Sequence, residues 1–215
     1  MKKGILITLP KSDDVTEYLS VFSKSIIESS IRKSIKIKPL EGEKANKINF
    51  EKILKKIDYS MIILNGHGSS DFICGHKNQK IIELKKNEGL LDGRITYARS
   101  CWAAAELGKK SVERDEKGCF IGYKIPFMFL MDSTRATNPI KDNVAKIFFD
   151  TSNQIPLSLI KGHTTFEAHN NSLTRTLKAI NKSLRNKDKD SEVIAETLWN
   201  NYIGQEILGN NEAKL

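Results

Sequence analysis

The apolar positions of the chain follow two different spacings. Short apolar runs are typical of buried strands, and they occur at residues 4–9, 34–37, 59–64, 94–98 and 119–123, with a hairpin-like pair at 72–74 and 81–84. Apolar residues at helical spacing occur at 15–27, 50–57, 103–110, 142–149, 157–182 and 192–207. Because strands and helices alternate, the pattern predicts an α/β fold, a three-layer α/β/α sandwich around a mainly parallel sheet.

Composition narrows the class of protein. The 215 residues suit a single domain spanning residues 1–215, and 39% hydrophobic with 28% charged residues is typical of globular proteins. No apolar run approaches the roughly 20 residues that a membrane-spanning helix needs, and the basic start followed by a short apolar run predicts a strand rather than a secretory signal. Three cysteines do not make a disulfide framework, so we expect a cytoplasmic protein.

The net charge of +9 raises the question of a nucleic-acid partner. However, the lysines are spread along the whole chain, most of them stand beside acidic residues, and no dense basic run is interleaved with aromatic residues. This distribution favours a solvated lysine-rich surface over nucleic-acid binding, a third candidate function that rests on the net charge alone and that a salt-dependent shift assay tests. We expect no membrane partner.

Two strand ends carry reactive side chains. In parallel sheets the active site lies beyond the carboxyl ends of the strands. The third predicted strand is followed by His67 between two glycines, and the fourth by Cys101 at the start of a predicted helix. These two loops are expected to be neighbours in space.

The pair of loops predicts the parts of an acyl-transfer site. A cysteine at a helix N-terminus is favoured as the thiolate, and a nearby imidazole accepts its proton and later protonates a leaving amine. The amides of Gly68 and Cys101 would stabilise the oxyanion. Taken separately, a lone cysteine is usually a small buried apolar residue and a lone histidine a polar surface residue. Their joint placement favours catalysis by His67 and Cys101.

Other patterns do not favour a cofactor or a metal. Cys74 and His76 match no zinc spacing, and the glycines around His67 form neither a dinucleotide-binding nor a phosphate-binding fingerprint. We therefore expect no cofactor and no metal. The apolar stripe of the last predicted helix is interpreted as core or as a docking face for a partner.

An apolar strand followed by Asn65-Gly66-His67-Gly68, and a second strand ending in Ser100-Cys101, resembles the caspase-like cysteine peptidases, most of all the CHAT, clostripain and gingipain peptidases. Segments 118–123 and 142–149 resemble later parts of the same fold, so the resemblance covers residues 1–180. It implies a cysteine endopeptidase with His67 and Cys101 as the catalytic dyad. By analogy with small prokaryotic relatives, it also implies a role in antiviral defence or regulated cell death.

Two features depart from true caspases. The signature Gln-Ala-Cys-Arg-Gly is replaced by Arg-Ser-Cys-Trp-Ala, and the 34-residue separation of His67 and Cys101 is shorter than in caspases. A catalytically silent caspase-like interaction module therefore remains the alternative to a peptidase.

The resemblance also bears on regulation and specificity. The chain carries no sensor module, so control by a partner protein or by a second copy of the chain is expected. In this fold the residue two before the nucleophile, here Arg99, lies beside the pocket for the side chain that precedes the cut. Arg99 there would disfavour cleavage after Arg or Lys, unless it points to solvent or binds an acid such as Glu106. Asp132, which follows the fifth predicted strand, would supply a negative charge and restore a preference for cleavage after Arg or Lys.

Overall fold

The computed structural model describes residues 2–186 and 190–215. A central sheet has the strand order β2-β1-β3-β6-β7-β8, in which the first five are parallel and β8 runs antiparallel to β7. A separate antiparallel hairpin is formed by β4 and β5. The strands are β1 Lys2–Leu9, β2 Lys36–Glu41, β3 Tyr59–Asn65, β4 Phe72–Cys74, β5 Lys80–Glu83, β6 Ile95–Arg99, β7 Cys119–Tyr123 and β8 Gln205–Gly209.

Helices cover both faces of this sheet and confirm the predicted three-layer α/β/α architecture. They are α1 Asp14–Phe22, α2 Lys24–Arg32, α3 Lys47–Lys56, α4 Leu107–Glu113, α5 Asn143–Ser152, α6 Gln154–Ile160, α7 Thr165–Asn186 and α8 Ser191–Gly204. Among the described residues, no helix combines the length and the apolar character needed to cross a membrane.

The central strands are buried on both faces because successive side chains point to opposite sides of the sheet. On β3, Ile62 and Leu64 pack into a core that includes side chains of α3 and α4. Met61 and Ile63 pack on the opposite side, in a core that includes side chains of α2, α6 and α7. This double burial explains why β3 is an uninterrupted apolar run.

The long helix predicted at 157–182 is wrong as a single element. The structure divides this region into α6 and α7. The break follows Lys161. Gly162 there has a φ of +93°, a conformation that glycine adopts easily because it has no Cβ atom.

The helix predicted at 192–207 is also wrong at its end. The helix α8 stops at Gly204, and the chain continues as β8, whose Ile207 pairs with Ile121 of β7. The last apolar residues pair with the edge of the sheet instead of continuing the helix. This is a tertiary effect that helical spacing alone does not predict.

Candidate active site

The ends of β3 and β6 lie side by side at the carboxyl edge of the sheet. The two strands are hydrogen-bonded neighbours, and their last residues, Asn65 and Arg99, are register partners. His67 and Cys101 each follow two residues after these partners. The prediction that the two loops are neighbours is therefore confirmed.

Direct contacts hold the two loops together. The amide of Leu107 donates to the carbonyl of Ser70 at 2.7 Å, and the amide of Gly66 donates to the carbonyl of Arg99 at 3.4 Å. A Cβ atom on Gly68 would lie 2.1 Å from Oγ of Ser100, so only glycine permits this close approach. The loop that carries His67 is thereby packed directly against the residue that precedes Cys101.

The imidazole of His67 is bound by a carboxylate that sequence analysis did not assign to the site. Its Nε2 atom lies 2.9 Å from Oδ2 of Asp13, and both side chains are about two-fifths exposed, 41% and 39%. Asp13 is also the N-cap of α1, where its Oδ1 accepts the amide of Thr16 at 2.8 Å. Burial raises the pKa of Asp13, but the hydrogen bonds from Thr16 and His67 outweigh it and leave the pKa below its ordinary value.

The position of Asp13 follows from the strand order. The strand β1 lies next to β3, so the loop after β1 emerges at the same edge of the sheet as His67. The contact of Asp13 with His67 was missed. Applying the strand-end rule to the first strand as well as to the third and fourth would have found it.

Cys101 is half-buried and its thiol contacts backbone. The Sγ atom lies 3.9 Å from the carbonyl oxygen of Phe127, on the segment that follows β7. Burial raises the pKa of this thiol by more than its contacts with the backbone of Phe127 and of Cys101 itself lower it. In the described part of the chain no hydrogen bond joins Cys101 to His67.

The predicted helix at 103–110 is wrong in its first half, so Cys101 does not lie at a helix N-terminus. Residues 101–106 form turns, and α4 begins only at Leu107. The amides of Trp102 and Ala104 donate to the carbonyls of Ile125 and Tyr123, at 3.3 and 3.1 Å. These bonds to the last residue of β7 and to the segment after it replace helical ones, so the predicted effect of a helix N-terminus on Cys101 has no basis in the structure.

Trp102 has an unusual backbone conformation. Its φ is +56°, in the left-handed region that costs a residue with a Cβ about 1–2 kcal/mol. The residue is 44% exposed, directly after Cys101. Strained backbone of this kind is frequent at functional sites.

The prediction that Arg99 lines a substrate pocket is wrong. Its side chain is completely buried, and its guanidinium donates to Oδ1 of Asn65 at 2.9 Å, to Oδ1 of Asn153 at 2.8 Å and to Oγ of Ser23 at 2.5 Å. It also lies over the ring of Phe149, 5.5 Å from the centroid. Burial lowers the pKa of Arg99, but the guanidinium starts so high that it stays charged. Arg99 joins α1, α2 and α5 to the sheet, and it neither faces solvent nor binds Glu106.

Asp132 lies on the surface, in the segment between β7 and α5. Its carboxylate accepts the amide and the hydroxyl of Thr134 at 2.9 and 2.7 Å, and it lies 4.0 Å from the guanidinium of Arg135. These hydrogen bonds from Thr134 lower the pKa of Asp132. Asp132 is thus the cap of a short turn, and its predicted role in substrate binding stays a prediction.

The other two cysteines are internal. Cys74 lies on β4 and Cys119 at the start of β7, and both are buried. Burial raises the pKa of Cys74 and raises that of Cys119 to about 12. Across residues 2–186 and 190–215 no three His, Cys, Asp or Glu side chains are grouped as metal ligands.

The loops after β1, β3 and β6 carry a carboxylate, an imidazole and a thiol, of which the carboxylate and the imidazole are in contact, and β3 and β6 are direct neighbours. The expected oxyanion donors, the amides of Gly68 and Cys101, belong to the loops after β3 and β6. No known protein-family model and no curated protein matches this chain.

Proposed function

We propose that this protein is a cysteine endopeptidase that cleaves a protein substrate through an acyl-enzyme. The observation that carries the proposal is the meeting of the His67 and Cys101 loops at the ends of neighbouring strands, with Asp13 bound to the imidazole. The resemblance to caspase-like peptidases, which rests on the same two loops, supports the same function.

In this proposal Asp13 sets the tautomer of His67. If Nε2 carries the proton and donates it to Asp13, Nδ1 is unprotonated and is the nitrogen that accepts the proton of the thiol. Asp13 is therefore a positioning residue, while His67 and Cys101 are the catalytic residues.

The reaction proceeds in two halves. His67 takes the thiol proton as the sulfur of Cys101 attacks the carbonyl carbon of the scissile bond, and the carbonyl oxygen gains the negative charge. The amides of Gly68 and Cys101 bind this oxyanion. His67 then gives its proton to the leaving amine as the C–N bond breaks. Water, deprotonated by His67, attacks the thioester and releases the acid and the free thiol.

The contact between Cys101 and Phe127 supports a regulated enzyme. A thiol that is half-buried, raised in pKa and in contact with a backbone carbonyl is protonated at neutral pH. We propose that a partner protein, or a second copy of the chain, shifts the segment after β7 and brings the thiol to His67. The proposed compartment is the cytoplasm, where the three free cysteines stay reduced.

The same contact favours one alternative, a catalytically silent module that uses the caspase-like fold to bind a partner. In that case the thiol of Cys101 is a packing group against Phe127, and His67 with Asp13 fastens the loop after β3 to α1.

Cleavage of a protein substrate distinguishes the two functions. Cys101→Ala and His67→Ala should each reduce peptide-bond hydrolysis by several orders of magnitude, and the two losses should not add. Matched controls are Cys74→Ala and His76→Ala, because Cys74 is a neighbouring buried thiol and the imidazole of His76 lies near Lys11 and Ser12 instead of Asp13. Wild-type turnover by Cys101→Ala would refute the peptidase function.

A further inference from the structure

A cleft of about 320 Å³ lies between α5 and α7. Its apolar lining comes from Ile147 and Ala179, and its cations are Arg175, Lys178 and Lys182 of α7. None of its lining residues belongs to the loops that carry His67 and Cys101. The cleft is thus a second feature, separate from the candidate active site.

The cations of the cleft form one exposed stripe. Arg175, Lys178, Lys182 and Arg185 follow each other at intervals of three and four residues, which places them on one side of α7. At a rise of about 1.5 Å per residue the stripe is roughly 15 Å long. A second concavity, lined by Lys178, Lys182 and Arg185, continues the cleft along the helix.

These four cations have no acidic partner in the structure from residue 2 to 186 and from 190 to 215. The acid that lines the cleft, Asp150, is bound by Lys146 at 2.5 Å. Like charges at this helical spacing repel one another and destabilise the helix slightly. An anionic ligand would relieve that repulsion.

Another cleft of the molecule provides the contrast. It has a volume of about 440 Å³ and is also rich in cations, with Lys55, Lys85, Lys86 and Arg114 in its lining. There, however, three of the four cations are paired: Lys55 with Glu51 at 3.3 Å, Lys86 with Glu83 at 2.9 Å and Arg114 with Asp92 at 3.1 Å, while Lys85 has no ion pair with a described residue. The cleft between α5 and α7 differs from this second lysine-rich cleft because none of the cations in its lining is paired with a described residue.

We propose that this cleft binds an acidic segment of a partner protein. Carboxylates of the segment would pair with Arg175, Lys178 and Lys182, and an aliphatic side chain would pack on Ile147 and Ala179. The lining contains no aromatic side chain, whereas sites for single-stranded nucleic acid stack bases on aromatic rings. The aliphatic lining and the charge complementarity together favour a peptide.

The probe is a fluorescein-labelled peptide of alternating glutamate and leucine, about a dozen residues long, added to the full chain and followed by fluorescence anisotropy. A peptide with glutamine for glutamate tests the need for carboxylates, and a single-stranded oligonucleotide tests nucleic acid as the ligand. We expect the glutamate peptide to bind most tightly of the three and its affinity to fall with salt.

Two charge-reversal variants test whether the peptide binds in the cleft between α5 and α7. Lys178→Glu with Lys182→Glu should weaken binding at least about tenfold, as expected when complementary charges at an interface are reversed. Lys55→Glu with Lys86→Glu changes the net charge equally and should leave affinity within about twofold, because those side chains are in the other cleft. All four side chains are exposed, so both variants keep the fold.

Binding does not require peptidase activity, so this test is independent of the catalytic proposal. The proposal is overturned if the glutamate peptide does not bind, if the glutamine peptide binds equally, if both variants lose affinity equally, or if the oligonucleotide binds more tightly than the peptide.

Discussion

The Nε2 atom of His67 lies 2.9 Å from Oδ2 of Asp13, the residue that caps α1. One carboxylate therefore serves two tasks, because its other oxygen accepts the amide of Thr16. The contact ties the loop after β3 to the loop after β1 and fixes which nitrogen of the imidazole faces away from the carboxylate. In the proposed enzyme that second nitrogen accepts the thiol proton.

Asp13→Asn separates these two tasks. Asparagine caps a helix as well as aspartate does, so stability should change by less than about 0.5 kcal/mol. Loss of the carboxylate should lower kcat by up to about 10⁴-fold with little change in KM, because an aspartate that holds a catalytic histidine in its working tautomer contributes on that order. Nitrogen NMR of the His67 ring should find the Nε2-protonated tautomer in the wild type and a mixture in the variant.

Asp13→Ala is the companion variant. This variant removes the cap as well. It should therefore lose about 1 kcal/mol of stability, and its activity should fall by the same factor as in Asp13→Asn. Unchanged kcat and an unchanged tautomer in Asp13→Asn would mean that Asp13 only caps the helix.

Arg99 should be a residue of stability and not of specificity. Arg99→Met would leave the amide oxygens of Asn65 and Asn153 without their donors in the core, and we expect a loss of about 3–5 kcal/mol, typical of breaking a buried charged network. Arg135→Met, at an exposed position, should change stability by less than about 0.5 kcal/mol. Urea denaturation measures both.

A shift of cleavage preference toward basic residues in a folded Arg99→Asp protein would contradict this account. The buried position instead predicts that Arg99→Asp fails to fold, because it replaces a bonded cation with an unpaired buried anion.

Trp102 tests the backbone conformation after Cys101. At a φ of +56° an alanine keeps the clash of a Cβ atom and a glycine does not. Trp102→Gly should therefore be more stable than Trp102→Ala by about 1 kcal/mol. Thermal denaturation of the two variants gives the comparison. Alanine would be the more stable of the two if the left-handed conformation did not exist in solution.

The pKa of Cys101 predicts how alkylation of the isolated chain depends on pH. Because burial disfavours the thiolate, the rate of reaction with iodoacetamide should rise at a higher pH than it does for a free cysteine. The same cysteine in the urea-unfolded chain is the control, and the midpoint of its pH dependence should lie at about 8.5. A midpoint in the folded protein at or below the unfolded one would show that the thiol is already activated without a partner.

The sheet and the neighbouring strand ends could be predicted from the sequence because the central strands are apolar on both faces and each ends in polar loop residues. The segment from Cys101 to Glu106 could not be. Its alanines favour a helix, but the amides of Trp102 and Ala104 bind the end of β7, which comes later in the chain. Tertiary hydrogen bonds of this kind override helix propensity.

Arg99 illustrates a second limit. At the end of a strand a charged side chain is expected to face solvent, since burying it is costly. Here Asn65, Asn153 and Ser23, which are far apart in sequence, supply its hydrogen bonds in the core. Nothing near Arg99 in the sequence indicates these partners. Asp13, in contrast, was within reach of prediction, because the strand that precedes it leads to the same edge of the sheet.

The most direct test of the central claim is covalent labelling of the protein with a peptide that carries a thiol-reactive electrophile. Mass spectrometry identifies the labelled cysteine. The labelling is carried out with and without the activating partner, or at low and at high protein concentration. The account predicts labelling at Cys101 alone, since Cys74 and Cys119 are buried with raised pKa values, and predicts that His67→Ala abolishes it while His76→Ala does not. Equal labelling of the three cysteines, or labelling of Cys101 that is unaffected by His67→Ala, would contradict it.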